Sequence, residues 1–194
     1  SNKKANISIR VNPDVDPKTH PYISTGLKDN KFGVDEQKAI SMYKIAKTLD
    51  AINIKGIDCH IGSQITELKP FEDSIKKLLE LIDHLESLNI KIEHIDVGGG
   101  IGIQYSKETP PSFYEYSKTV KNIIGNRNLK VIFEPGRVLI GKAGILLTEV
   151  EYVKNSSDKN FLIVNAAMND LMRPALYQAF HEIINISQSN SDKK

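Results

Sequence analysis

A carboxylate and a guanidinium close an apolar run in Val131-Ile132-Phe133-Glu134-Pro135-Gly136-Arg137. β-Branched and aromatic runs of this kind mark buried strands, and charges at the end of a buried strand are costly unless each has a partner. An isolated Glu-x-x-Arg would serve as a structural ion pair capping the strand. Two earlier apolar runs end in equally unusual chemistry: Gly56-Ile57-Asp58-Cys59-His60-Ile61-Gly62-Ser63-Gln64 and His94-Ile95-Asp96-Val97-Gly98-Gly99-Gly100-Ile101-Gly102-Ile103. Three successive strands that end in ligand chemistry point to one shared site.

Glycines at Gly98, Gly99 and Gly100, with Gly102 beyond, let backbone N–H groups converge on an anion, and a phosphate is the natural guest. The loop lacks the Lys-Ser/Thr of a P-loop and the spacing of a dinucleotide fingerprint. Gly136, after Pro135, adds a further N–H. His60 is a satisfied core histidine, a metal ligand, an acid/base group or a ring stacked on a flat cofactor. Metal is disfavoured, because no second ligand stands at suitable spacing. Ser63 is a hydroxyl donor to phosphate or a turn residue. Glu134 beside a phosphate asks for a cation between them. A protonated pyridine nitrogen meets that need and becomes a better electron sink. Arg137 offers a bidentate fork to a carboxylate. Arg173 and Tyr177 share a face if their segment turns helically, as an anion clamp or as a surface arginine packed on a ring. Cys59, inside a strand pattern, is expected to be an inert buried thiol.

The elements that position these residues alternate. Strands are expected at Ile7–Asn12, Ile54–Ile61, Ile92–Val97 and Lys130–Phe133, and helices at Asp35–Asp50, from about Pro70, and at Pro111–Ile124. A long loop carrying Pro13, Pro17, Pro21, Gly26 and Gly33 follows the first strand. Such a series makes a doubly wound sheet or a (β/α) barrel. Ligand residues on three successive strand ends favour the barrel. After Arg137 the pattern changes to strands at Gly144–Lys154, Phe161–Ala166 and Glu182–Ser187, with a polar, frayed tail to Lys194. The expected fold class is α/β: half of a (β/α)8 TIM barrel over residues 1–142, then the start of a β-rich second domain over residues 143–194. Half a barrel would leave strand edges open, so the chain is expected to be a middle segment of a larger protein.

Composition narrows the partners. With 194 residues, 40% hydrophobic, 26% charged and a formal net charge of +2, the chain has no basic footprint for nucleic acid. No apolar run approaches the roughly 18 residues of a membrane span. One cysteine excludes an intrachain disulfide and suits a reducing cytoplasm.

Together these residues resemble the fold-type III pyridoxal-phosphate decarboxylases, and within them the diaminopimelate branch. The resemblance runs through His20-Pro21-Tyr22-Ile23-Ser24-Thr25-Gly26-Leu27, Asn30-Lys31-Phe32-Gly33, His60 to Gln64, Asp96 to Gly100, Glu134 to Arg137 and Arg173-Pro174-Ala175-Leu176-Tyr177. It implies an alanine-racemase-like barrel and pyridoxal 5'-phosphate as cofactor. It also implies decarboxylation of meso-2,6-diaminopimelate to L-lysine and CO2, at the end of lysine biosynthesis, by a cytoplasmic homodimer. By the same resemblance, His60 stacks on the cofactor ring. Ser63, the Gly98–Gly100 turn and the backbone from Glu134 through Pro135 and Gly136 to Arg137 hold its phosphate. Glu134 faces the pyridine nitrogen, making His60 and Glu134 the catalytic pair, and Arg137, Arg173 and Tyr177 bind substrate. Asn165 and Ala167 stand where the family usually has Asp and Gly, and no lysine here has the family's cofactor-bonding context. The chain alone is therefore expected to be inactive. The alternatives are a decarboxylase of the same fold acting on ornithine, arginine or carboxynorspermidine, and a non-catalytic pyridoxal-phosphate-binding relative.

Overall fold

The protein is seen in a computed structural model that describes residues 3–16 and 31–186. The stretch His20–Asn30 of the resemblance, most of the proline-bearing loop and the tail from Ser187 lie outside the described residues. The chain forms two compact units, Ser1–Ile103 with Thr109–Gly144, and Gln104–Glu108 with Ile145–Lys194.

The first unit contains β1 (Ala5–Arg10), α1 (Glu36–Lys47), β2 (Ile52–Asp58), α2 (Lys69–Ser87), β3 (His94–Asp96), α3 (Phe113–Ile124), β4 (Lys130–Ile132) and the single turn α4 (Arg137–Ile140). Its strands pair in parallel in the order β1-β2-β3-β4. Helix starts follow from local chemistry. Asp35 accepts from the Lys38 N–H (2.8 Å) ahead of α1, Pro70 occupies the first turn of α2, and Ser112 and Glu115 form a reciprocal capping box at α3. The apolar stripe expected on α2 is the buried one: Ile75, Leu78, Leu79, Ile82 and Leu85 share one buried cluster with Ile57 and Ile95 of the sheet. Tyr43 of α1 is fully buried. Its hydroxyl donates to the Gly56 carbonyl at 2.7 Å, and burial raises its pKa.

Register places charges side by side. Arg10 pairs with Asp58 and Asp58 with Asp96. A shift between Ile7 and Ser8 lets Ile7 face Ile54 while Ser8 faces Gly56, so Lys55 is passed over. Without that bulge Arg10 would stand opposite Ile57.

The second unit has an antiparallel pair, β5 (Val150–Lys154) and β6 (Phe161–Val164), and the short helix α5 (Arg173–Tyr177). Two sequence expectations are corrected here. The strand expected from Gly144 begins only at Val150, with Ile145 93% exposed, and Glu182–Ile186 forms no strand. Both segments are apolar, but a strand needs a ladder of N–H and C=O groups shared with a neighbour, and neither segment belongs to one among the described residues.

Candidate functional site

The ends of β1 to β3 and the loop after β4 bring most of the expected site residues of the first unit together. Arg10, at the end of β1, donates from Nη2 to the His60 carbonyl at 3.3 Å. Asp58, ending β2, accepts from Ser8 Oγ at 3.0 Å, and burial, more than the neighbouring Asp96, raises its carboxyl pKa. Asp96, ending β3, accepts from the Gly98 N–H at 2.9 Å.

His60 accepts at Nδ1 from the Gly99 N–H at 3.2 Å, which leaves the ring proton on Nε2. Burial first, and the Arg10 charge second, hold the imidazole below its ordinary pKa. The ring is thus a neutral, oriented plate. Glu134 follows β4, and its N–H donates to the Gly98 carbonyl at 2.8 Å. Its carboxyl sits above the ordinary value, through desolvation first and then the charges of Asp96 and Asp58, with Arg10 opposing.

The Gly98–Gly100 turn is tighter than an anion cradle alone requires. Gly98 (φ +68) and Gly100 (φ +106) have left-handed backbone, and a Cβ at Gly98, Gly99 or Gly100 would collide with the carbonyl oxygen of Cys59, Glu134 or Gly62 respectively. These glycines let three loops touch. Two of the three N–H groups are committed within the protein, to Asp96 and His60.

Ser63 lies half-buried in the turn after β2, and a Cβ on Gly136 would meet open space. Pro135 helps line an apolar cavity of about 340 Å³ between the glycine turn and α3. Arg137 opens α4 and donates from Nη1 to Gln64 Oε1 at 3.0 Å. Cys59 is 1% exposed with its thiol pushed up to about 12, an unreactive group at neutral pH.

In the second unit, the Arg173 guanidinium lies 5.5 Å from the Tyr177 ring centre and 5.9 Å from that of Tyr105. The Tyr105 ring in turn meets His181 edge-on at 5.5 Å. Arg173 Nε is buried without a hydrogen-bond partner among the described residues. Sequence reasoning missed Arg10, Asp58, Gln64 and Tyr105 as contributors. The signal for the first two was their place at the last position of an apolar run.

Residues 1–141 match the model of the pyridoxal-dependent decarboxylases, pyridoxal binding domain. The chain belongs to this family. It is 54% identical over 182 residues to a diaminopimelate decarboxylase of Vibrio cholerae, a match covering 93% of this chain and 44% of the relative. A diaminopimelate decarboxylase of Neisseria meningitidis is 53% identical over 188 residues, 97% of this chain and 46% of the relative. The crystal structure of diaminopimelate decarboxylase from Helicobacter pylori complexed with L-lysine matches with a TM-score of 0.92 at 44% identity, covering 97% of this chain and 47% of that one. The chain spans about half the length of the relatives it matches. The four-stranded parallel sheet with its crossover helices is half of the alanine-racemase-like barrel of the pyridoxal-dependent decarboxylases.

The residues present fit that family's cofactor. Asp58, Asp96 and Glu134 outnumber Arg10, and Glu134 is raised by desolvation first and then by the two other carboxylates. A ring cation placed there would relieve that repulsion.

Proposed function

We propose that the protein carrying this chain decarboxylates meso-2,6-diaminopimelate to L-lysine and CO2 with pyridoxal 5'-phosphate. The observation that carries the reading is identity above 50% to diaminopimelate decarboxylases across at least 93% of the chain. In this reading residues 1–142 belong to the cofactor-binding barrel and residues 143–194 begin the β-rich domain, and the enzyme works as a cytoplasmic homodimer. Among the described residues no helix is long and apolar enough to cross a membrane.

Each residue then has a task that its setting supports. His60, neutral and oriented by Gly99, presents a flat face to the cofactor ring. Ser63, the Gly98–Gly100 turn and the backbone of Glu134, Pro135, Gly136 and Arg137 hold the phosphate. Glu134 keeps the proton on the pyridine nitrogen, since a carboxylate favours a cation beside it. The bound cofactor supplies an electron-poor ring that takes up the electron pair released as CO2 leaves. Arg137, Arg173 and Tyr177 bind the substrate, the two guanidiniums by forked contacts to carboxylates.

The test is turnover of the cofactor-loaded protein. Lysine and CO2 should form from meso-diaminopimelate, with ornithine, arginine and carboxynorspermidine far slower. Glu134→Gln should lower kcat about 100-fold or more while pyridoxal phosphate stays bound. Turnover of ornithine in place of diaminopimelate would move the protein to the sister activity. A stable cofactor absorbance band with no turnover of any of these amino acids would make it a binding protein.

A further inference from the structure

The turn after β2 contains a side chain to which the proposed chemistry gives no task. Gln64 holds a left-handed backbone (φ +59), which is costly for a residue with a Cβ. Its carboxamide makes three hydrogen bonds. Oε1 accepts from the Ile103 N–H at 3.1 Å and from Arg137 Nη1 at 3.0 Å, and Nε2 donates to the Ile103 carbonyl at 2.5 Å. The partners fix the orientation of the amide: two donors face one end and a carbonyl faces the other. Space for it comes from Gly102, where a Cβ would stand 3.2 Å from the carboxamide carbon and oxygen. One side chain therefore ties together the turn after β2, the segment beyond the glycine turn and the guanidinium that follows β4.

The choice of amide matters. A carboxylate at Gln64 would accept from the same two donors, but it would set a negative charge beside Arg137 and an oxygen against the Ile103 carbonyl. An amide oxygen orients the guanidinium while adding no negative charge beside it. Long arginine side chains lose much rotamer freedom when they bind, and an arginine already aimed loses less. We propose that Gln64 is a positioning residue: it holds the Arg137 guanidinium in place to receive a substrate carboxylate. This rests on the reading of Arg137 as a substrate-binding residue.

The experiment uses the protein carrying this chain, loaded with pyridoxal phosphate. It reads KM and kcat for diaminopimelate and, separately, the calorimetric dissociation constant of pimelate, the same dicarboxylate without its amines. Gln64→Met should raise KM and weaken pimelate about tenfold, the worth of one hydrogen bond to a charged group. It should leave kcat within about twofold and the cofactor absorbance unchanged. Arg137→Met should raise KM and weaken pimelate at least as much, and the double variant should bind pimelate no worse than Arg137→Met alone, because Gln64 then has nothing to position. A further tenfold loss in the double variant, or unchanged pimelate binding in Gln64→Met, overturns the proposal. Unchanged binding in Arg137→Met instead overturns the role given to Arg137, whatever the Gln64 variants do. Should Gln64→Met fail to fold, Gln64→Glu keeps the acceptor atom and adds a charge. It should weaken pimelate at least as much, and unchanged binding there overturns the proposal equally.

Discussion

β2 and β5 are both regular strands in hydrogen-bonded sheets, yet Ile57 of β2 is fully buried and every residue of β5 is exposed. The contrast extends across the chain, since no described residue after Ile124 is buried. In the first unit three crossover helices cover a parallel sheet, so β1, β2 and β3 each gain both a ladder and a buried residue. Among its described residues the second unit has a two-stranded ladder and one helix of five residues. Two strands alone are marginal in water. Backbone pairing decides where a strand lies, and side-chain burial decides what keeps it there.

The sharpest way to break this comparison is a matched pair of leucine deletions. Leu78→Ala, at a residue 1% exposed, should cost about 2–5 kcal/mol in urea denaturation. Leu147→Ala, at a residue 69% exposed, should stay within about 0.5 kcal/mol. Equal costs would mean that the second unit has a core of its own. A smaller effect tests whether local signals matter where burial is already strong. Ser112→Ala removes the capping box of α3 and should lower stability by about 1 kcal/mol, with amide exchange quickening first at Tyr114 and Glu115. No change would mean that packing of Tyr116 and Val120 alone holds that helix end. The smallest effect comes from His60. Its folded pKa lies below 6.5, so its contribution is full above that value and is lost as pH falls through the folded pKa. Asp58 and Glu134 are shifted upward. Such a shift favours the folded state at low pH and is lost as pH rises, which confines their effect to the carboxylate range. The urea midpoint should therefore dip on going from about pH 7 toward pH 5.5. The His60 ring signals should titrate below 6.5, and a midpoint above that value would remove the neutral-plate account.

Much of the first unit was legible, because helical spacing on α2 and short β-branched runs each carry a period that burial imposes. Candidate site residues were visible where type and position coincide, as with His60 and Glu134 after apolar runs, which the structure brings to the same glycine turn. The Arg10–Asp58–Asp96 row was not, because it depends on a one-residue shift in register that leaves no mark in either strand alone. Gln64 was hidden for another reason: the sequence places it in a turn but does not say where its amide points. The strand expected at Glu182–Ile186 shows the converse, an apolar pattern that takes no place in a ladder among the described residues.

The close approaches at the glycine turn have a consequence for what the chain tolerates. Gly98 rests on the Cys59 carbonyl, Gly99 on that of Glu134 and Gly100 on that of Gly62. A side chain at any one of the three would push on a loop that follows a different strand or lies tens of residues away.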